Sequence, residues 1–265
     1  MSSAHSSKGF VVLAGAGPGD PELITLKLQR RLQEAEVIIV DRLVHPDIIQ
    51  SNASASARVI LAGKQGYNDA SFTQEEITDL IIKYALEGKK VLRLKGGDVA
   101  FFSNVLDELI GLQENQIPFE IIPGITAASG ASAYAGIPLT ARGHSQGVRF
   151  LTFNPNTNHS ENTWKELAQT DDTLVCYMAS KNLTNVVGQL LNHGVSVDAL
   201  IAVIEQATTS QQKVSLSALG KFNQQFPNPS FLSPSLVIIG SVVALHEKFN
   251  WFNASGDQEV FPDIL

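Results

Sequence analysis

Apolar and polar positions follow two rhythms along this chain: short apolar runs bounded by glycine or proline, and longer stretches with apolar residues three and four apart. In the first half the short runs are "FVVLAGA" from Phe10, "EVIIV" from Glu36, "RVILA" from Arg58, "VLRLK" from Val91 and "PFEIIPG" from Pro118. Helical spacing fills the gaps over Pro21–Ala35, from Thr73 and after Phe101. Near-continuous apolar runs of this length, alternating with helices, predict strands buried on both faces of a parallel α/β sheet. Thr73 and Glu76 have the spacing of a capping box, and Gly88 that of a glycine closing the same helix.

The rhythm breaks over residues 138–147, "PLTARGHSQG", and resumes with the strand pattern "VRFLTFN" at Val148. A second set follows: "DTLVCYM", a helix over Lys181–Asn192, "ALIAVIEQ", "QKVSLSAL" and "SLVIIG", with the proline-rich "FPNPSFLSP" before the last. Fewer helices and closely spaced strands predict a mixed sheet. We therefore expect an N-terminal α/β domain over 9–145, a C-terminal α/β domain over 146–252 and a loose polar tail over 253–265. Length agrees, since 265 residues exceed the usual ~100–150-residue domain.

Charge and composition exclude several partners. A formal net charge of −7 with no basic run disfavours nonspecific binding to nucleic acid or anionic lipid. No stretch approaches the ~20 apolar residues of a membrane span, and the first apolar run is shorter than a secretory signal core of ~7–15 residues. The chain is expected to be soluble and cytoplasmic. Its one cysteine, Cys176, leaves no intramolecular disulfide framework.

The chemistry gathers where strands end. "GAGPGD", "DRLV", "GK", "KGGD" and "PGITAASG" each follow one of the first five strand patterns, and the carboxyl ends of parallel strands form the ligand crevice of such sheets. The first loop is not a dinucleotide fingerprint. Gly15, Gly17 and Gly19 alternate, Asp20 stands where the third glycine belongs, and Pro18 and Pro21 remove backbone donors that a pyrophosphate would use. The loop suits a ligand that is not a phosphate. Asp41 puts a carboxylate at the mouth of the sheet beside Arg42, with a helix cap as the plainer role. Lys64 is either a ligand group or a solvated loop lysine. "KGGD" permits close backbone approach, and Asp98 either accepts from ligand hydroxyls or an ammonium or shapes a turn.

Taken in order and at near-constant spacing over residues 9–252, "GAGPGDPELITL", "VDRLV", "RLKGGD", "PGITAASGASAYAGIPLT", "YM" and "SLVIIGSVVAL" resemble the tetrapyrrole methylase family. The resemblance implies a two-domain α/β fold, a parallel-sheet N-terminal domain and a mixed-sheet C-terminal domain with the ligand cleft between them. It implies S-adenosylmethionine (SAM) as cosubstrate, no metal, and transfer of methyl groups to C2 and C7 of uroporphyrinogen III, giving precorrin-2 for sirohaem or cobalamin. It assigns Pro18, Gly96, Gly97, Asp98, Phe101, Thr126, Ala127, Met178 and Ala207 to SAM, and proton acceptor and donor roles to Asp41 and Lys64. A homodimer is also implied. For the eight substrate carboxylates, Arg42, Lys64, Arg142 and Arg149 are the candidate partners, with a structural ion pair equally open for Arg149. Where the family reads P-F-x-F-G-R-G-x-E-E after G-G-D, this chain reads "VAFFSNVLDE"; it also carries Ala141 in place of a histidine and Ala207 in place of a glycine. Competing readings are a methylase for a later precorrin or for diphthine, a SAM-binding regulator without turnover, and an NAD-linked oxidoreductase.

Overall fold

A computed structural model describes residues 8–62, 72–153, 159–256 and 260–261. The chain divides into two compact units, a first running to Thr126 that also takes in residues 260–261, and a second that begins at Ala127.

The first unit is built on β1 (Phe10–Gly15), β2 (Val37–Val40), β3 (Arg58–Leu61), β4 (Lys90–Lys95) and β5 (Phe119–Ile122). All pair in parallel, in the order β3-β2-β4-β1-β5. The three inner strands are buried almost throughout, as their unbroken apolar sequences predict. Side chains alternate between two cores. Val11, Leu13, Val37, Ile39 and Val91 meet α3 (Gln74–Leu86) and α4 (Val105–Glu114) on one face, while Val12, Ala14, Ile38, Val40, Leu92 and Leu94 meet α1 (Leu26–Glu34) and α2 (Pro46–Asn52) on the other.

Local signals fix the helix ends. The Thr73 hydroxyl accepts from Glu76 N at 3.1 Å while the Glu76 carboxylate accepts from Thr73 N at 2.6 Å, the expected capping box, and Gly88 closes α3 at φ +81°. The helix expected over Pro21–Ala35 is split. Asp20 accepts from Glu22 N and starts a 3₁₀ turn over Pro21–Leu23, and α1 begins only after Thr25, whose hydroxyl accepts from Leu28 N. A second cap inside the segment restarts the chain.

The second unit holds β6 (Val148–Thr152), β7 (Thr173–Tyr177), β8 (Leu200–Glu205), β9 (Lys213–Ala218) and β10 (Ser235–Ile239) in the order β6-β7-β10-β8-β9. Only β6 and β7 pair in parallel, so the sheet is mixed as expected. Helices α6 (Glu161–Ala168) and α7 (Leu183–Asn192) cover one face. The other is covered partly by α5 (Ala127–Tyr134), whose Ala128 and Ala131 are buried with Val175, Ile204 and Ile238. That packing is why "AASGASAYAGIPLT" lies with the second unit, whereas the sequence pattern put it with the first. Of the expected loose tail, Phe261 is 5% exposed and its ring centroid lies 6.3 Å from that of His45 in the first unit. Among the described residues, no helix is long and apolar enough to cross a membrane.

Candidate active site

In the first unit the carboxyl ends of β4, β1 and β5 are adjacent, and their loops are joined through backbone. Gly17 N donates to Gly97 O at 3.0 Å and Gly97 N to Gly17 O at 2.7 Å. A side chain at Gly15 or Gly124 would strike the Gly97 carbonyl at 2.5 and 2.3 Å, and one at Gly96 would meet the Leu43 carbonyl at 2.9 Å. The glycines are required by loop-on-loop packing, which accounts for a pattern that fails as a phosphate fingerprint. Pro18 is buried in the same loop.

Asp98 completes this joint. One carboxylate oxygen accepts from Gly124 N at 2.8 Å and the other from Ala100 N at 2.9 Å, so its side chain ties the β4 loop to the β5 loop. Phe101 packs edge-on against Phe102 with centroids 5.5 Å apart, both more than a third exposed. Asn104, in the left-handed region at φ +56°, precedes α4, and its amide donates to Asp107 at 3.0 Å. Asparagine tolerates that conformation better than most residues, which lets the helix start without the glycines of the family pattern.

Asp41 follows β2 on the α3/α4 face, partly exposed, and accepts from the Arg93 guanidinium. Arg93 Nε donates to Glu108 at 3.1 Å, and Lys95 Nζ donates to the same Glu108 oxygen at 2.9 Å. Arg93, Lys95 and Glu108 are each no more than 3% exposed. Sequence reasoning passed over all three. The available signal was two cations at alternate positions of the apolar run "VLRLK", which face one side of a strand, with an acid in the first turn of the next helix.

In the second unit the pairing places the carboxyl ends of β7 and β8 at one edge, since each is antiparallel to β10 between them. Met178 leaves β7 there at φ +55°, half exposed. Ala207 leaves β8 buried between Gln206 at φ +45° and Thr208 at φ +67°. Three non-glycine residues in the left-handed region at one edge carry a backbone cost of about 1–2 kcal/mol each. Two buried acceptors there, Glu205 Oε2 and Gln206 Oε1, have no hydrogen-bond partner among the described residues. The Tyr177 hydroxyl accepts from Ala128 N at 3.1 Å, joining "YM" to the first turn of α5, which opens at Ala127.

The basic candidates separate. Arg42 is half-buried next to Asp41, and Arg142 is exposed on the turn between Ala141 and Ser145. Arg149 pairs with Asp172 at 2.8 Å, and this hydrogen bond holds the Asp172 carboxyl below the usual carboxylate range, so its described contact is the structural ion pair. Lys64 lies outside the described residues. A cavity of about 650 Å³ opens at the opposite edge of the second sheet, by Leu174, Ala199 and Gly240, and touches none of the expected site residues. Among the described residues, no group of three or more His, Cys, Asp or Glu has the arrangement of a metal site.

Residues 11–222 match the family model of tetrapyrrole (corrin/porphyrin) methylases. Siroheme synthase 2 of Aeromonas hydrophila is 43% identical over 258 residues, 97% of this chain and 54% of that protein. The chain thus spans about half the length of the curated relatives it matches. Among solved structures, the uroporphyrin-III C-methyltransferase of Thermus thermophilus complexed with S-adenosyl homocysteine is 30% identical at a TM-score of 0.74, covering 89% of this chain and 93% of that one. A cobalt precorrin-4 methyltransferase is 26% identical at a TM-score of 0.79, covering 91% and 98%.

Proposed function

The chain belongs to the tetrapyrrole methylase family, and from that premise we propose that it is a SAM-dependent C-methyltransferase converting uroporphyrinogen III to precorrin-2 by methylation at C2 and C7. The observation that carries the reading is the joint at Gly17, Gly97, Gly124 and Asp98, a floor of backbone at the strand ends with Asp41 at the end of β2, the strand beside β4. The residues fit SAM. In the second unit, Glu205 and Gln206 beside Ala207 offer unmet acceptors of the kind that ribose hydroxyls and an adenine amine satisfy, and half-exposed Met178 offers apolar surface.

SAM supplies a sulfonium methyl, and the reduced macrocycle supplies an electron-rich pyrrole carbon. The carbon–methyl bond forms as the sulfur–methyl bond breaks, leaving S-adenosylhomocysteine and a ring cation that must lose a proton. This chain's part is alignment of the two reactants and acceptance of that proton by the Asp41 carboxylate, which also stabilises the cation by charge. Lys64, Arg42 and Arg142 would pair with substrate carboxylates. The same reading carries a cytoplasmic homodimer that uses no metal. Methylation of a later precorrin is the second reading, favoured by the likeness to the precorrin-4 enzyme.

Titration calorimetry with SAM and S-adenosylhomocysteine, followed by anaerobic competition between uroporphyrinogen III and cobalt precorrin-4, separates the readings. Heat with both nucleosides and turnover of uroporphyrinogen III alone is expected. Absence of heat from folded protein would overturn SAM-dependent chemistry altogether.

A further inference from the structure

Asp41 is the exposed end of a buried chain of charges. A carboxylate at a strand end, 29% exposed, has several rotamers open to it, yet here one oxygen is taken by Arg93 Nη2. Arg93 is itself immobilised. Its Nε donates to Glu108 at 3.1 Å, and its Nη1 lies 3.4 Å from the carbonyls of Ile39 and Leu94. Glu108 is wholly buried and receives Lys95 at 2.9 Å and the Gln74 amide at 3.3 Å on the same oxygen, while its other oxygen has no partner among the described residues. Two cations and two anions balance, which is the condition for burying such a set at all. A guanidinium carries its donors in a rigid plane, so gripping Nε fixes where Nη2 points.

We propose that Arg93 is a positioning residue for methyl transfer: anchored on Glu108, it holds the Asp41 carboxylate in one orientation at the mouth of the sheet. The proposal rests on the reading of Asp41 as proton acceptor. It also accounts for what "VAFFSNVLDE" retains. The segment lacks the arginine and glycines of the family pattern but keeps the acid at Glu108, the residue that the strand cations require.

The test combines a double-mutant cycle with a measurement that needs no turnover. Arg93→Lys should lower kcat about 10–100-fold, as misplacement of a reacting group does. The macrocycle KM and the S-adenosylhomocysteine affinity should stay within about twofold of the parent, and the loss should vanish in an Asp41→Asn background because the two act as one unit. Glu108→Gln, which keeps shape and reaches no substrate, should give a smaller loss of the same kind. By nitrogen-15 NMR, rotation about the Arg93 Nε–Cζ bond should be hindered in the parent and faster in both Glu108→Gln and Asp41→Asn. Additive losses, or an Arg93 that rotates freely in the folded parent, would overturn the proposal. A parent that methylates nothing would remove the role of Asp41 and with it Arg93's part in catalysis, while hindered rotation released by Asp41→Asn would still show the clamp.

Discussion

The strand-end edges of the two units differ in how their polar groups are satisfied. In the first unit the loop carbonyls and amides answer each other across Gly17 and Gly97, Asp98 spends both oxygens on backbone, and Asp41 is held by Arg93. In the second, Met178, Gln206 and Thr208 sit in the left-handed region and Glu205 and Gln206 keep buried acceptors without partners among the described residues. A self-satisfied edge is preorganised before a ligand arrives; an edge with strain and unmet acceptors gains more when one does. On the proposed reading, the first edge fixes the geometry of the reactants and the second gains hydrogen bonds from the ligand.

The largest effect that could break this contrast is on turnover. Asp41→Asn should lower methyl transfer about 10²–10⁴-fold in kcat while calorimetry returns a nearly unchanged S-adenosylhomocysteine affinity. Parental turnover with an unchanged pH profile would return Asp41 to the status of a loop residue. Asp98→Ala comes next. It leaves the Gly124 and Ala100 amides without their acceptor, so urea unfolding should show a loss of about 1–3 kcal/mol, and nucleoside affinity should fall with it as the floor loosens. Stability lost with affinity intact would confine Asp98 to the fold.

How much of this was legible depends on the kind of signal. The parallel sheet could be read because its inner strands are buried on both faces and so carry unbroken apolar runs, and α3 because Thr73, Glu76 and Gly88 punctuate it. The division at Thr126 was not legible. Small residues such as Ala128 and Ala131 pack equally well in either core, and only tertiary contact shows which one they join. Asp41 and Asp98 were visible because they follow strand runs directly. Arg93, Lys95 and Glu108 were hidden inside a strand and a helix turn, where charge looks like surface until burial is known. Asp98 also shows the limit of spacing, which finds a carboxylate at a strand end without telling whether backbone or ligand uses it.

Two smaller effects sharpen the second edge. Glu205→Gln exchanges an unmet acceptor for an amide, and S-adenosylhomocysteine affinity by calorimetry should drop about tenfold, the ~1.4 kcal/mol of one buried hydrogen bond. An unchanged affinity would mean that its orphaned oxygen serves no ligand. Met178→Gly should raise the urea-unfolding free energy of the unliganded protein by roughly 0.5–1 kcal/mol, the relief of a left-handed residue less the entropy that glycine adds to the unfolded chain. Half exposed, Met178 gives up little packing in that exchange. Destabilisation instead would mean that the conformation carries no strain there.

The central claim is tested most directly by counting methyl groups. Purified protein, SAM and uroporphyrinogen III are incubated under anaerobic, reducing conditions, and the macrocycle is analysed by mass spectrometry and absorption. The account predicts two methyl groups per macrocycle, two equivalents of S-adenosylhomocysteine and the spectrum of precorrin-2. A folded, SAM-binding protein that leaves uroporphyrinogen III unmethylated while methylating a later precorrin would contradict it.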